Sequence, residues 1–358
     1  MIKRLKYVLG VAALLLAAAG CETDLDINGN PKPTAVIYGL IDFSEGIQVI
    51  KITRTFLGDG NALDYAQAKD SSEINFSSAP VLERYNGTTL ETTVALRDTI
   101  ISGKPSGTFY SGNAKYYVIE GGSNFFFPNK THFYRLKFAY NGQEVHADTR
   151  LAGRSSQDSP QALVLQRELV ANNVRTSPIR YSSITFKSTP APNVKSIRVK
   201  VFFEYDEILL NGDSTRKSIE LSNTQLTVAK LDEPTQPQLQ TAFNVAQMME
   251  NISVSKNDAA VSFRAVKNIV IQMTNEAQEL FTYNQVNGGT SGTIQERPEF
   301  SNVVNGLGLF SSYSVTNNSM PLGDLTSRAL AINEKYLGMK FCSRRPTLLT
   351  EGDVTCPQ

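Results

Sequence analysis

Residues 131–151 read THFYRLKFAYNGQEVHADTRL, two segments of alternating apolar and polar residues joined by Asn141-Gly142. Asn-Gly favours a two-residue type I′ hairpin turn, because both central residues of that turn need a positive φ. This turn places Arg135 opposite Asp148, a cross-strand ion pair worth about a few tenths of a kcal/mol on a solvated face. The other face is apolar and is predicted to contact a core through Tyr134, Leu136, Phe138 and Val145.

The two histidines of the chain, His132 and His146, both lie in this hairpin. In the predicted register they project from opposite faces, with His146 opposite Lys137, so they cannot share a metal ion within the hairpin. Neither histidine lies beside a serine or cysteine nucleophile motif. We therefore predict structural roles for both.

Short strand patterns continue towards the N-terminus of this hairpin. Residues 35–41 are an apolar run, and residues 47–56 place apolar side chains on one face at period two. Residues 80–96 form a second hairpin pattern around Asn86-Gly87. The chain has no Trp and is rich in Ser, Thr, Asn and Gly, which suits strands and exposed turns. Residues 35–153 are therefore predicted to form an immunoglobulin-like or fibronectin-like β-sandwich.

A chain of 358 residues is too long for one ordinary core, which predicts two domains. The second is a β-rich domain at residues 162–341, joined to the first by a polar linker at residues 154–161 and followed by a tail at residues 342–358. Apolar periodicity predicts short helices at residues 239–250 and 275–283 in this domain. The predicted fold class is mainly β, with two β-sandwich domains, the second carrying one or two short helices.

The first residues have the layout of a lipoprotein signal peptide. A basic head precedes an apolar run at residues 8–19, and small residues stand directly before Cys21. An apolar run of this length is shorter than the roughly 20 residues that a bilayer core requires. We predict a signal peptide at residues 1–20, acylation of Cys21, and an acidic, proline-bounded tether at residues 21–34.

With Cys21 assigned to a lipid, Cys342 and Cys356 remain. An even number of cysteines in an exported protein predicts a disulfide, which would close the tail onto the second domain. A loop of about 15 residues gives roughly 3 kcal/mol in the chain-entropy model. Two free thiols are the alternative, since sequence does not supply the geometry of a disulfide.

Composition and motifs exclude several functions. The net charge of +1 gives no electrostatic footprint for nucleic acid. The chain lacks the nucleophile-elbow, HExxH, P-loop and paired CxxC motifs. We therefore predict no enzyme activity, no catalytic residues, no cofactor and no metal site. A hydrolase whose carboxylates are scattered along the chain is an alternative that sequence leaves open.

The most distinctive internal string is residues 297–312, RPEFSNVVNGLGLFSS. It resembles a signature of outer-membrane lipoproteins from Bacteroidota that carry the domain of unknown function 4249 or a close relative. Further matches are residues 36–40, 134–136 and 147–149. The resemblance implies a protein at the outer membrane, often beside TonB-dependent receptors, and implies no catalytic residue. Independently of this resemblance, residues 305–308, NGLG, are explained by a turn that needs positive φ and a close approach of the backbone.

These observations predict a lipid-anchored, non-enzymatic accessory protein of the outer membrane, at the cell surface rather than the periplasmic face. Its expected partner is a β-barrel protein, either a TonB-dependent transporter or an outer-membrane assembly machine. The alternative is a carbohydrate- or peptide-binding lipoprotein that supports nutrient uptake. In that case residues 125–128, FFFP, could stack on a glycan, although three consecutive aromatic residues are more often partly buried.

Overall fold

The computed structural model describes residues 33–56, 61–103, 105–108, 110, 112–120, 125–161, 167–171, 178–231, 236–288, 299–344 and 355–357. Strands account for 52% of the structure and helices for 13%, so the predicted mainly β class is confirmed. Three sheets and five short helices make up the described part of the chain.

The first sheet has five strands. They are β3 (Ser78–Asn86), β4 (Thr89–Ala95), β7 (His132–Tyr140), β8 (Gln143–Thr149) and β15 (Val303–Val304). Their order is β15-β8-β7-β3-β4.

The second sheet has nine strands. They are β1 (Ala35–Asp42), β2 (Ile47–Arg54), β5 (Arg97–Ile101), β6 (Ala114–Glu120), β11 (Ser196–Leu209), β12 (Ser214–Thr227), β14 (Val261–Glu276), β16 (Gly306–Pro321) and β17 (Phe341–Cys342). The order is β12-β11-β14-β16-β1-β2-β6-β5, with β17 paired beside β14.

The third sheet has three strands, β9 (Ser156–Ser159), β10 (Ile184–Thr189) and β13 (Leu239–Phe243), in the order β13-β10-β9. The helices are α1 (Ala62–Gln67), α2 (Lys69–Ser72), α3 (Val245–Asn251), α4 (Gln278–Asn287) and α5 (Asp324–Ile332).

Two separate hydrophobic cores lie against the nine-stranded sheet. One contains Ile37 and Ile50 of that sheet together with Leu136 and Phe138 of the five-stranded sheet. The other contains strands β11 and β14, the three-stranded sheet, and side chains of α3 and α5. Each core therefore lies between two β layers, which is the packing of a β-sandwich.

Strand β16 connects the two sandwiches. Its first half pairs in parallel with β1, and its second half pairs antiparallel with β14. Val303 and Phe310 are buried in the first core. The structure thus differs from the predicted division of the chain into domains. Residues 303–313 were predicted in the second domain, but in the structure they complete the first sandwich. One sheet runs through both halves.

The hairpin at residues 131–151 has the predicted turn and register. Tyr140 pairs with Gln143, and Asn141 and Gly142 have φ values of 49° and 76°. Arg135 pairs with Asp148, and its Nε and Nη2 each donate a hydrogen bond of 2.7 Å to that carboxylate. The second hairpin is shifted by one residue, because Asn86 pairs with Thr89 and leaves Gly87-Thr88 as the turn.

The predicted starts of two helices and the predicted linker were wrong, because residues in each of these segments pair as β-strands. Residues 239–243 form β13, which pairs with β10, so the helix starts only after Asn244, whose Oδ1 accepts from the Gln247 N–H at 3.1 Å. Residues 275 and 276 still pair within the nine-stranded sheet, and α4 therefore begins at Gln278. The predicted linker contains β9, paired with β10.

Candidate functional site

Exposed apolar side chains lie on the outer side of β1, β2 and the start of β16. Along β1, alternate residues point inward into the first core, and the residues between them, which point outward, are also apolar. We call this surface the apolar sheet face and define it by Tyr38, Leu40, Ile47, Val49 and Leu307. Tyr38 is 50% exposed and Ile47 is 59% exposed. Exposed apolar side chains on neighbouring strands are typical of interaction sites.

Helix α4 bounds the apolar sheet face on one side. It packs against β16, where Leu309 and Ser311 are buried. The Leu280 N–H donates to Ser311 Oγ at 3.1 Å, which fixes the first turn of the helix on the sheet.

A groove of about 520 Å³ lies between β1 and α4. We call it the β1–α4 groove; its lining residues are Val36, Tyr38, Tyr283, Asn287, Glu299, Phe300, Ser301, Leu307 and Gly308. Burial raises the pKa of Tyr38, and the nearby Tyr283 and Glu299 raise it further. This size falls within the range of small-molecule sites in proteins.

The described part of the distinctive string, residues 299–312, supplies one wall of this groove through residues 299–301, 307 and 308. The Asn302 side chain bonds the backbone of Phe310 in both directions, at 2.7 and 3.0 Å, and also donates to the Asp148 carbonyl. Asn305 has a φ of 56° and donates to the Glu144 carbonyl at 2.9 Å. These bonds fasten the string to the hairpin of the first sandwich.

Gly308 lets β16 approach β1. A Cβ at this position would lie 2.0 Å from the Ile37 carbonyl oxygen, and its φ of +110° also favours glycine. On β1, Gly39 pairs with Phe310, whose ring would be 3.1 Å from a Cβ there. Gly308 of the distinctive string and Gly39 of β1 therefore allow the two strands to pack closely.

A second cavity of about 360 Å³ lies at the junction of the two sandwiches, between Arg150, Lys130 and the start of α4. Glu279 lines it and accepts hydrogen bonds from Thr149 Oγ1 and Ser311 Oγ, both at 3.1 Å. Burial raises the pKa of the Glu279 carboxyl. Its bonds link α4 to strands of the first sandwich.

The aromatic segment considered for glycan stacking is mostly internal. Phe125 and Phe126 are buried in the first core, and Phe127 is 38% exposed. The Arg84 guanidinium lies 4.9 Å from the centroid of the Phe127 ring and is itself bonded to Glu91 at 2.9 Å. The exposed ring is thus already covered by a cation on one side.

The histidines make separate contacts. His132 Nε2 lies 3.1 Å from Glu91 Oε2, and His146 Nδ1 lies 3.4 Å from Glu144 Oε1. Lys137, opposite His146, forms its ion pair of 2.6 Å with the buried Glu83. Within the described part of the chain, no group of three or more His, Cys, Asp or Glu side chains could hold a metal ion.

Of the predicted site residues, Cys21 lies outside the described residues, as do the signal peptide and most of the tether. Cys342 and Cys356 are joined by a disulfide with a Cα–Cα distance of 4.9 Å. It packs with Ile208 and Ala265 in a small satellite cluster. Among the residues that the structure describes, no helix is both long and apolar enough to cross a membrane.

Sequence reasoning missed the apolar sheet face and the β1–α4 groove. Val36, Tyr38 and Leu40 were included in an apolar strand, but the strand was not recognised as apolar on both faces. Glu299 and Phe300 were noted only as part of the distinctive string. The available signal was a strand whose inward-pointing and outward-pointing residues are both apolar, because this pattern is normal only for a strand that is covered on both faces.

The fold and these surfaces define a mainly β, two-sandwich protein with an exposed apolar face. No protein-family model matches the chain, and no curated protein matches it. Among solved structures, the chain is similar to the C-terminal globular domain of the oligosaccharyltransferase of Pyrococcus abyssi, with 10% identity over 68% of this chain and a TM-score of 0.22. The match spans 48% of that structure, and a likeness this low carries no argument about function.

Proposed function

We propose that the chain is a lipid-anchored, non-enzymatic accessory protein of the outer membrane that binds a membrane-embedded β-barrel protein through the apolar sheet face. The observation that carries the proposal is this face, with exposed apolar side chains on three neighbouring strands. Exposed apolar side chains of this kind offer apolar area to a protein partner.

The position of the face supports a partner in the same membrane. β1 begins at Ala35, fourteen residues after the predicted lipid on Cys21. A tether of that length reaches at most about 50 Å when fully extended. A tether of this length would keep the start of β1 within about 50 Å of the bilayer, a distance at which contact with an integral membrane protein is possible.

The polar clusters support a role without catalysis. The carboxylates of Glu276 and Glu279 are bonded to hydroxyl groups of neighbouring strands, which is a structural arrangement. Arg264 is buried and bonds Glu207 at 2.9 Å and the Met339 carbonyl at 2.7 Å. These groups hold elements together.

The partner is tested by affinity capture of the tagged full chain from detergent-solubilised membranes. Leu40→Glu and Val49→Glu place charge on the apolar sheet face. The matched control is Leu210→Glu, at an apolar residue that is 72% exposed at the β11–β12 turn. We expect the wild type and the control to recover the same β-barrel protein, and the two face variants to lose it. Recovery of the partner by the face variants, or of no partner by the wild type, would refute the proposal.

A further inference from the structure

The β1–α4 groove combines aromatic surface with hydrogen-bonding groups. Tyr38 and Tyr283 contribute aromatic rings from a strand and a helix, and Phe300 adds a third. Asn287, Glu299 and Ser301 contribute an amide, a carboxylate and a hydroxyl to the same lining. Apolar walls with a few convergent polar groups are typical of small-molecule sites.

Several of these polar groups are available to a ligand. Within the residues that the structure describes, the Glu299 carboxylate and the hydroxyls of Tyr38 and Tyr283 have no hydrogen-bond partner. Asn287 uses one amide N–H on the Tyr283 carbonyl at 2.9 Å, which orients the amide and leaves its second N–H and its oxygen for other partners. The groove can therefore both donate and accept hydrogen bonds.

The charge of the lining decides which ligands it suits. Among the described lining residues there is no Lys or Arg, and Glu299 adds a negative charge. An anionic ligand such as a phosphate ester or an acidic sugar would meet repulsion without a counter-charge. The groove therefore disfavours an anion and suits a ligand without negative charge whose hydroxyl groups can bond to the polar lining.

The backbone of β1 argues against an extended peptide. Peptides that bind β-sheets add a strand to an open edge and use main-chain hydrogen bonds. β1 is already paired on both sides, with β2 and with β16, so Val36 and Tyr38 offer side chains only. Recognition through side chains and ring faces is the mode that a saccharide uses, because its C–H faces pack on aromatic rings and its hydroxyls bond to polar groups.

We propose that the β1–α4 groove binds a neutral saccharide, with the Tyr38 and Tyr283 rings against the apolar faces of the sugar and with Glu299 and Asn287 on its hydroxyls. This inference does not depend on the membrane anchor or on the β-barrel partner. It assigns the ligand class of the groove, which shares Tyr38 and Leu307 with the apolar sheet face.

The test is isothermal titration of the purified mature chain with maltotriose, mannotriose and N,N′-diacetylchitobiose. Sialyllactose and a tri-alanine peptide serve as an acidic and a peptide comparator. We expect at least one neutral saccharide to bind, Tyr38→Ala and Glu299→Gln each to weaken it about tenfold or more, and Tyr38→Phe to keep much of the affinity because the ring remains. Leu210→Ala, at an exposed residue of the β11–β12 turn outside the groove lining, should bind as the wild type does.

Thermal unfolding verifies that each variant is folded, which the exposure of Tyr38 and Glu299 leads us to expect. The proposal is overturned if no neutral saccharide binds, if only the acidic or peptide comparator binds, or if Tyr38→Ala binds as tightly as the wild type. Each of these results leaves the capture experiment with the β-barrel partner unaffected, so the two proposals fail separately.

Discussion

Replacing Gly308 by alanine should lower the free energy of unfolding more than replacing Gly46 or Gly142 by alanine. The new Cβ would lie 2.0 Å from the Ile37 carbonyl oxygen and 2.9 Å from its carbonyl carbon. Because these are backbone atoms, β16 has to move away from β1 to relieve the contact. The positive φ adds a cost of about 1 to 2 kcal/mol. Weakening two adjacent β1–β16 hydrogen bonds adds about 1 kcal/mol each, for a total of about 3 to 4 kcal/mol.

Two other glycines separate these causes. Gly142 has a φ of +76° with nothing within 4 Å of a Cβ, so Gly142→Ala carries the conformational cost alone, about 1 to 2 kcal/mol. Gly46 also has an open Cβ position, and its φ is not in the left-handed region, so Gly46→Ala should leave stability unchanged or raise it by about 0.4 to 1 kcal/mol.

The assay is urea unfolding followed by far-UV circular dichroism and by tyrosine fluorescence, which the 14 Tyr and the absence of Trp make usable. We expect the free energy of unfolding to fall in the order Gly46→Ala, Gly142→Ala, Gly308→Ala. If Gly308→Ala lowers the free energy of unfolding by no more than Gly142→Ala does, the close parallel pairing of β1 with β16 is wrong.

Three further changes test the account of the packing. Burial raises the folded-state pKa of Glu279 above the ordinary value of 4.5, so the charged form costs stability at neutral pH and that cost falls as the pH is lowered towards 4.5. In the wild type, the free energy of unfolding should therefore gain a contribution from Glu279 as the pH is lowered towards 4.5, and Glu279→Gln should remove that contribution. If the free energy of unfolding of Glu279→Gln depends on pH as that of the wild type does, the buried carboxyl does not have this effect. Cys356→Ser should lower the free energy of unfolding by roughly 3 kcal/mol relative to the oxidised wild type. Under reducing conditions, the wild type and Cys356→Ser should have the same free energy of unfolding. A double-mutant cycle on Arg135→Ala and Asp148→Ala should give a coupling free energy of about 0.2 to 1 kcal/mol. Because both side chains are partly exposed, this coupling should shrink in high salt. A coupling free energy that does not change with salt would contradict a solvent-screened ion pair.

Local patterns predicted the hairpin at residues 131–151 fully, because its turn fixes its register. Asn141-Gly142 needs no information from elsewhere in the chain, and the alternation on both strands agrees with it. The shift at Asn86 shows the limit of the same rule, since pairing of Asn86 with His132 of β7 as well as with Thr89 keeps it in the strand.

Long-range pairing is the part that the sequence did not predict. The parallel contact between β1 and β16 joins Gly39 to Phe310, and the residues between them in sequence carry no local sign of it. The groove depends on that pairing, because it brings Tyr38 beside Glu299 and α4. Residues 239–243 were predicted as helix for a related reason, since their apolar residues fit a helical stripe and their strand partner, β10, is distant in sequence.

Mass spectrometry of the mature N-terminal peptide tests most directly the proposal that a lipid on Cys21 holds this protein at the outer membrane. We predict a peptide that begins at Cys21 and carries acyl chains, recovered from the outer-membrane fraction, and a Cys21→Ser variant that is neither acylated nor retained there. An unmodified Cys21 in the mature wild type, or a Cys21→Ser variant that still fractionates with the outer membrane, would contradict the account.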